Sequence, residues 1–394
     1  MKTLKTLAVF CLGVLLIGGC ASTNDGGGSD TKTEKGLILS VDKSYIYDNG
    51  GLDENGNEDK YGIATFSLRF NGKEVTDGYT IYEEVRDGEI IYDVPLEGKT
   101  YTSTTKGNHY FWAEYGLVEQ TKNKTLLMVV STPPAAPAAP VDNNPTALNF
   151  KRRVLLTQFT GSGCGYCPDM VNALYTVLNN EYYQDKFVLA AAHLYNETDK
   201  AYLYDAPSLA NLLGVRGYPT VNGDYYKNNS YRDSEHVIDL IDECLARTTV
   251  KGGIAVSSEL HEDSRYVVIN TLVKASEKAE FRIGAWLLED KIEDQQANNG
   301  YSPIEGVEFN VHNNCVRLAN SRQNYKDFTG LTLGTLNAGD TATQSFAFSL
   351  LDSWKTENMH VVVFISTKEG DKWYVNNVVN IKNLNGVTEF EYEE

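Results

Sequence analysis

The stretch VLLTQFTGSGCGYCPDM, residues 154–170, places two cysteines between an apolar run and a helix-forming run. The apolar run predicts a buried strand, and residues 168–182, with apolar side chains three and four apart, predict a helix. Cys164 and Cys167 therefore lie at a helix start, where unpaired backbone N–H groups and the helix dipole stabilise a thiolate. Pro168 suits the first turn, since its missing N–H costs nothing there. This stretch predicts a strand–turn–helix unit with a reactive dithiol.

A C-x-x-C pair can also belong to a metal site or form a structural disulfide. Zinc needs four ligands, and the sequence offers no second C-x-x-C and no H-x-x-x-H pair. A structural disulfide would be unusual in so small a ring at a helix start. The sequence thus favours redox chemistry and predicts no metal and no cofactor. Cys244 falls on the apolar face of a predicted helix, and whether it pairs with Cys315 depends on an approach of about 7 Å that sequence does not reveal.

A second signal follows in Gly217-Tyr218-Pro219-Thr220, between a predicted short helix and a strand. With the C-x-x-C stretch, it resembles the thioredoxin superfamily, in which a cis-proline loop faces the dithiol. The resemblance implies an attacking Cys164, a resolving Cys167, and substrate contacts at Tyr218-Pro219. Gly165-Tyr166, the dipeptide between the cysteines, is similar to that of some bacterial periplasmic disulfide isomerases and is included among the expected substrate contacts.

The match to thioredoxins departs at two positions. Gln158 stands where thioredoxins carry a buried acid that moves protons, and Gly163 replaces their tryptophan. His193, at the carboxyl end of the predicted central strand KFVLAAAHL, is a candidate for the proton-transfer role. A structural histidine with satisfied hydrogen bonds remains the competing interpretation.

The sequence predicts a multidomain protein around this unit. Alternating strands with Asn-Gly and Asp-Gly turns over residues 37–131 predict an immunoglobulin-like β-sandwich. Residues 132–145, rich in proline and alanine, predict a semi-rigid linker. Strands alternating with helices over residues 146–250 predict a thioredoxin-like α/β domain. Residues 251–394 predict a C-terminal β-sandwich, with a long irregular insert near residues 291–330.

The N-terminus carries the features of an exported lipoprotein. Lysines precede an apolar run too short to span a bilayer, and the run ends in Ile-Gly-Gly-Cys. This resembles a lipobox, which implies a signal peptide at residues 1–19 and lipidation of Cys20. A flexible tether over residues 20–36 follows. An ordinary signal peptide is the alternative.

A longer series of motifs resembles the Omp28-related lipoproteins of Bacteroidetes. It comprises VLLTQFTGSGCGYCPDM, LAAAHL, GVRGYPTVNGD, IGAWLLEDKIEDQQ and FNVHNNCVRLA, and it covers residues 150 to about 390. The resemblance implies an outer-membrane lipoprotein, at the periplasmic face or the cell surface.

Two functions follow as hypotheses. The first is a lipid-anchored thiol–disulfide oxidoreductase whose partners are exported proteins with thiols or disulfides. The second is a cell-surface, adhesin-like binding protein for a protein or glycan ligand, suggested by 25 tyrosines against 14 phenylalanines. A net charge of −18 argues against nucleic acid as a partner.

Overall fold

The computed structural model describes residues 36–393 except 44, 54, 88–89, 118, 133, 197 and 320–327. The predicted signal peptide at 1–19, the lipidated Cys20 and all of the tether but Gly36 lie outside the described residues. Within the described part, no helix is long and apolar enough to cross a membrane.

Residues 37–130 form two antiparallel-rich sheets around one core. Along strand β3 (Ala64–Phe70), residues alternate between buried and exposed, so one face of its sheet packs on this core. The core is built on aromatic contacts such as Phe66 to Phe111, whose ring centroids lie 4.7 Å apart. The sheets have the orders β1-β3-β4, with β7 on β3, and β2-β10-β8-β5-β6, with β9 on β8. The strands are β1 (Leu37–Val41), β2 (Tyr45–Tyr47), β3 (Ala64–Phe70), β4 (Lys73–Glu74), β5 (Tyr79–Asp87), β6 (Ile90–Pro95), β7 (Thr100–Tyr101), β8 (Gly107–Tyr115), β9 (Glu119–Gln120) and β10 (Thr125–Val130).

The central region alternates strands and helices, as predicted. Its two longest strands are buried along their full length because helices cover both faces of the sheet. The elements are β11 (Val154–Thr160), α1 (Cys167–Leu178), β12 (Phe187–His193), α2 (Ala206–Leu212), β13 (Thr220–Gly223), β14 (Lys227–Asn229) and α3 (Ser234–Arg247). α1 and α3 pack on one face of the sheet and α2 packs on the other. β12 runs parallel to β11, and β13 runs antiparallel to it.

The C-terminal region adds a second pair of packed sheets. A four-stranded sheet, β22-β16-β15-β25, packs against β17 and β23 through a core of aliphatic and aromatic side chains. The strands are β15 (Gly252–His261), β16 (Tyr266–Ala275), β17 (Ala279–Glu289), β18 (Ile292–Glu293), β19 (Val311–His312), β20 (Cys315–Ala319), β21 (Leu331–Leu336), β22 (Thr341–Ser349), β23 (Met359–Glu369), β24 (Lys372–Ile381) and β25 (Gly386–Thr388). The predicted multidomain, β-rich architecture is therefore confirmed at this coarser level.

One nine-stranded sheet joins the central and C-terminal regions. Its order is β14-β13-β11-β12-β20-β17-β23-β24, with β21 on β17. β20 makes the junction, because it pairs parallel to β12 at Ala191 and Cys315 and antiparallel to β17. The prediction of an irregular insert near residues 291–330 is wrong for residues 315–319, which form this strand. This short apolar segment forms a strand because it can hydrogen-bond to β12 on one side and to β17 on the other.

The proline-rich linker lies bound along the C-terminal sandwich. Asn270 donates to the carbonyl oxygen of Pro137 at 2.9 Å, and Ser257 donates to that of Ala138 at 2.6 Å. Lys274, 1% exposed, reaches Asp142 at 2.7 Å. These contacts hold the linker against β15 and β16.

Candidate functional site

Cys164 and Cys167 form a disulfide at the start of α1, with their Cα atoms 5.4 Å apart. Pro168 occupies the first turn of the helix, and no side chain caps its N-terminus. The N–H of Cys167 donates to the carbonyl oxygen of Cys164 and Pro168 has no N–H, so of the first-turn donors that of Asp169 is left for a sulfur anion. Cys164 is 3% exposed and Cys167 is fully buried. Both cysteines are therefore buried, and the small exposed area belongs to Cys164.

The proline loop lies at the same edge of the sheet as the disulfide. The Tyr218–Pro219 peptide bond is cis. Thr220 pairs with Phe159 near the end of β11, and the disulfide turn begins just beyond that end at Gly161. The two predicted parts of the site therefore come from neighbouring strands.

Tyr195 and Asn196 fill the space beside the glycines of the turn. A Cβ atom at Gly161 would stand 2.5 Å from the Cβ of Tyr195, and one at Gly163 would stand 2.5 Å from Nδ2 of Asn196. No side chain fits at Gly163 unless these residues move. The Tyr195 ring also meets that of Tyr218, edge to face at 6.2 Å.

Residues 294–301, the covering segment, lie across the disulfide turn. The side-chain amide nitrogen of Gln296 lies 3.2, 3.1 and 2.9 Å from the carbonyl oxygens of Gly161, Ser162 and Cys164. The backbone N–H groups of Ala297 and Asn299 donate to Ser162 and Gly165 at 2.7 and 2.9 Å. The sequence does not predict that this segment belongs to the site, because its contacts join residues more than 130 positions apart. The Asp-Gln-Gln run at residues 294–296 ends one of the motifs noted in the sequence, but it does not show which residues the segment contacts.

An arginine clamps the far end of the covering segment to the helix start. The guanidinium of Arg232 lies 5.1 Å from the ring centre of Tyr166 and donates to the Tyr301 hydroxyl at 3.1 Å. Asp169 lies 3.7 Å from the same guanidinium. Tyr166 nevertheless stays 52% exposed, so its ring edge remains free for contacts with another molecule.

His193 is buried at the end of β12 and is linked to the disulfide turn. Its Nδ1 donates to Oδ2 of Asp199 at 2.8 Å, and the same oxygen accepts the N–H of Ser162 at 2.6 Å. Burial favours a raised pKa for Asp199, but the His193 hydrogen bond and the backbone donors at Ser162 and Ala201 outweigh it and lower the pKa to about 2. The sequence did not lead to Asp199 as a site residue. Its position in the loop directly after the predicted central strand could have indicated it, because that loop lies at the same sheet edge as His193.

The other two cysteines of the described residues, Cys244 and Cys315, are free thiols rather than a pair. Cys315 lies 3.6 Å from Nε2 of His193, and burial raises the pKa of its thiol well above the usual range. Cys244 lies on the buried face of α3, where it packs toward the sheet, and burial raises the pKa of its thiol as well. Both are protonated at neutral pH and out of reach of solvent.

A cavity of about 90 Å³ lies beneath α1. Val171 and Leu174 line it one and two turns below Cys167, and His193 and His312 line its other side. Gln158 is 4% exposed and lines it too, and among the described residues its Nε2 has no hydrogen-bond partner. The cavity therefore lies between the face of α1 below Cys167 and His193, and its lining is mostly apolar. The described residues contain no cluster of three or more His, Cys, Asp or Glu side chains that could hold a metal ion.

The fold and site together define a β-rich, multi-sheet protein with a disulfide at the edge of an internal α/β layer. Residues 206–385 match the model of the family described as outer membrane protein Omp28. This match supports an Omp28-related protein and agrees with the predicted outer-membrane localisation. It contains the proline loop and the covering segment, whereas the disulfide precedes it.

Solved structures from Porphyromonas gingivalis also resemble the chain. HBP35 is 18% identical with a TM-score of 0.49, over 59% of this chain and 76% of that one. A domain of the outer membrane lipoprotein Omp28 is 18% identical with a TM-score of 0.22, over 34% of this chain and 90% of that one. Among curated proteins, none matches this sequence.

Proposed function

We propose that this protein is a lipid-anchored thiol–disulfide oxidoreductase that acts on exported proteins at the outer membrane. The observation that carries the proposal is a disulfide at a helix start beside a cis-proline loop on the neighbouring strand. In this proposal residues 146–250 are a thioredoxin-like domain, and residues 37–131 are an immunoglobulin-like sandwich that holds it away from the membrane.

The roles of the two cysteines follow what the resemblance to thioredoxins implies, with Cys164 as the attacking thiol and Cys167 as the resolving thiol. In the reduced protein, the Cys164 thiolate attacks a client disulfide, forms a mixed disulfide and expels one client thiolate. Cys167 then loses its proton and attacks the Cys164 sulfur, which releases the second client thiolate and restores the Cys164–Cys167 disulfide. Two electrons pass to the client, whose thiolates take up two protons, and an external dithiol must reduce the protein again.

The client is expected to bind in an extended form. The backbone of Tyr218 next to cis-Pro219 offers hydrogen-bonding groups to a strand-like segment. The exposed edge of Tyr166 and the backbone of Gly165 contact the same segment on the helix side. A sulfur as covered as that of Cys164 favours flexible segments over folded surfaces.

His193 is proposed as the group that accepts the Cys167 proton. It lines the cavity that also touches Val171 and Leu174 of α1, Asp199 accepts the hydrogen bond from its Nδ1, and its Nε2 faces the thiol of Cys315. Gln158 cannot ionise, but its free amide can hold a water molecule in that cavity. His193 thus replaces the missing acid.

The second candidate function is a surface binding protein for a protein or glycan. Tyr195, Tyr204 and Tyr231 are each more than half exposed, and such rings stack on sugars and grip protein surfaces. The near burial of Cys164 also favours this reading, because a covered disulfide exchanges slowly.

Insulin reduction by residues 36–394 separates the two functions. All four major core clusters lie within these residues, so the fragment retains the described fold. The oxidoreductase proposal expects dithiol-dependent turnover that Cys164→Ser abolishes. A Cys167→Ser variant, which keeps Cys164 but lacks the resolving thiol, is expected to accumulate the mixed disulfide. Turnover equal to that of Cys164→Ser, together with glycan or protein binding that reduction leaves unchanged, would instead support the binding function.

A further inference from the structure

Tyr266, Asn270 and Lys274 of β16 all bind the chain at or near the linker. They stand four residues apart, and side chains alternate between the faces of a strand. All three therefore lie on the face of β16 that is turned away from the core, which their neighbours on the strand fill. Tyr266 donates its hydroxyl to the carbonyl oxygen of Ser131, just before the linker, and Asn270 and Lys274 bind further along it. One face of β16 thus contacts the linker along the length of the strand.

The linker is suited to this position by its composition and its length. Proline occupies five of its fourteen positions, so it has few N–H groups, and side chains of β15 and β16 must donate the hydrogen bonds. Five residues of extended linker, from Pro137 to Asp142, span about 15 Å at roughly 3.1 Å each. The four residues of β16 between Asn270 and Lys274 span about 13 Å. The linker therefore has little slack between these two anchors.

Lys274 is a buried anchor, because its ammonium is 1% exposed and has three acceptors. Its Nζ donates to Asp142 at 2.7 Å and to the carbonyl oxygen of Asn144 at 3.0 Å, and it lies 3.4 Å from the hydroxyl oxygen of Tyr392. Burial favours a raised pKa for Asp142, but hydrogen bonds, that from Lys274 first, outweigh it and lower the pKa. The carboxylate is therefore ionised at neutral pH. Three aromatic rings surround the ammonium with centroids 5.7, 5.9 and 5.6 Å away, those of Phe150, Phe390 and Tyr392.

Residues 389–393, the clasp, complete this anchor from the other end of the sequence. The Tyr392 hydroxyl donates to Oδ1 of Asp142 at 2.9 Å, although the two residues are 250 positions apart. Asn143 donates to Glu389 at 2.8 Å. Backbone hydrogen bonds also pair the clasp with the residues that follow the linker. The clasp and β16 thus both hold the end of the linker.

We propose that the clasp locks the linker onto β16 and so fixes the N-terminal pair of sheets, residues 37–130, against the C-terminal sandwich. A buried ammonium needs its acceptors, and the linker supplies two of the three, so Lys274 favours the bound linker. The clasp adds the third acceptor and orients the carboxylate. The lock involves neither the disulfide nor a client, so it stands or falls separately from the proposed function.

Proteolysis of the linker in residues 36–394 tests the lock. Elastase cuts after small residues, and the Ala-Ala pairs of the linker suit it, but a bound segment is cut only when it opens. Lys274→Met keeps the apolar stem and removes the ammonium, and is expected to speed cutting by roughly tenfold or more. Tyr392→Phe keeps the ring and removes the hydroxyl, and is expected to speed cutting several-fold. Lys278→Met removes the same charge at an exposed site just after β16, and is expected to keep the wild-type rate.

Small-angle X-ray scattering of the same proteins tests whether the lock fixes the N-terminal sheets. The wild type is expected to match the described structure, and the two unlocked variants to have a larger radius of gyration. Equal cutting rates in wild type and Lys274→Met would overturn the lock, and a wild-type rate in Tyr392→Phe would overturn the role of the clasp. If Lys274→Met does not fold, Tyr392→Phe decides alone. Unchanged scattering from a variant whose linker is cut faster would show that the linker does not fix the N-terminal sheets.

Discussion

The side-chain nitrogen of Gln296 lies 2.9 Å from the carbonyl oxygen of Cys164, although 132 residues separate them in the chain. The C-terminal half thus supplies part of the disulfide site. The turn that carries the disulfide is covered by a segment from another part of the chain, whose contacts are to the backbone carbonyl oxygens of that turn.

Gln296→Glu is expected to open the site. A carboxylate facing three carbonyl oxygens loses the hydrogen bonds and adds repulsion, an effect of about 2 kcal/mol. We expect dithiothreitol to reduce the Cys164–Cys167 disulfide several-fold faster in this variant, as followed by alkylation of the released thiols. Gln295→Glu adds the same charge at the exposed neighbouring residue and is expected to keep the wild-type rate. Identical rates in the two variants would show that the covering segment does not control access.

Asp199→Asn is expected to destabilise the protein in a pH-dependent way. The folded protein holds the pKa of Asp199 at about 2, below its ordinary value of 3.8. Its stabilisation is therefore complete above about pH 4 and is lost as the pH falls toward 2, with a size of about 2 kcal/mol. Urea unfolding at neutral pH should show this loss in the variant, and the difference from wild type should shrink near pH 2. Asp239→Asn, at an exposed site, should show neither effect, and a pH-independent loss in Asp199→Asn would contradict the assigned cause.

Gly161→Ala is expected to disrupt the turn that holds the disulfide. The new Cβ would stand 2.5 Å from the Cβ and 2.9 Å from the backbone nitrogen of Tyr195, so backbone must move. Such overpacking costs about 1–3 kcal/mol, measurable by thermal unfolding. Gly217→Ala has open space around it and a non-strained backbone, and should be neutral. Because the clash involves atoms that alanine also has, Tyr195→Ala should not rescue Gly161→Ala, and a full rescue would be evidence against it.

His193→Gln is expected to slow the resolving step and leave the first attack unchanged. A positioned acid–base group typically contributes a hundredfold or more, and a tenfold slowing would be roughly the least expected here. Stopped-flow measurement of mixed-disulfide formation and decay separates the two steps. Equal slowing of both steps would indicate a structural role for His193 through Asp199 and Ser162.

Local signals predicted the parts of this structure that depend on nearby residues. The strand, the cysteine pair and the helix start of α1 lie within 25 residues, and their apolar spacing and turn chemistry specify them. The Tyr218-Pro219 loop was predicted from the resemblance to a family motif rather than from a local pattern. The alternating strands of the N-terminal region follow from the same kind of local pattern.

Long-range contacts account for what the sequence did not reveal. β20 becomes a strand only because β12 and β17 present edges to it. The covering segment has no periodicity and gains its conformation from the carbonyl groups of the turn. The sequence predicted a semi-rigid spacer and no bound position for the linker, because the side chains that bind it, Asn270 and Lys274 among them, come from strands about 130 residues later.

The reduction potential of the Cys164–Cys167 pair, measured against glutathione redox buffers with residues 36–394, tests the central claim most directly. An exchange-active dithiol is expected between about −270 and −120 mV, the range of protein thiol–disulfide oxidoreductases. A value below about −300 mV, which is typical of structural disulfides, would contradict a redox role and favour the binding function.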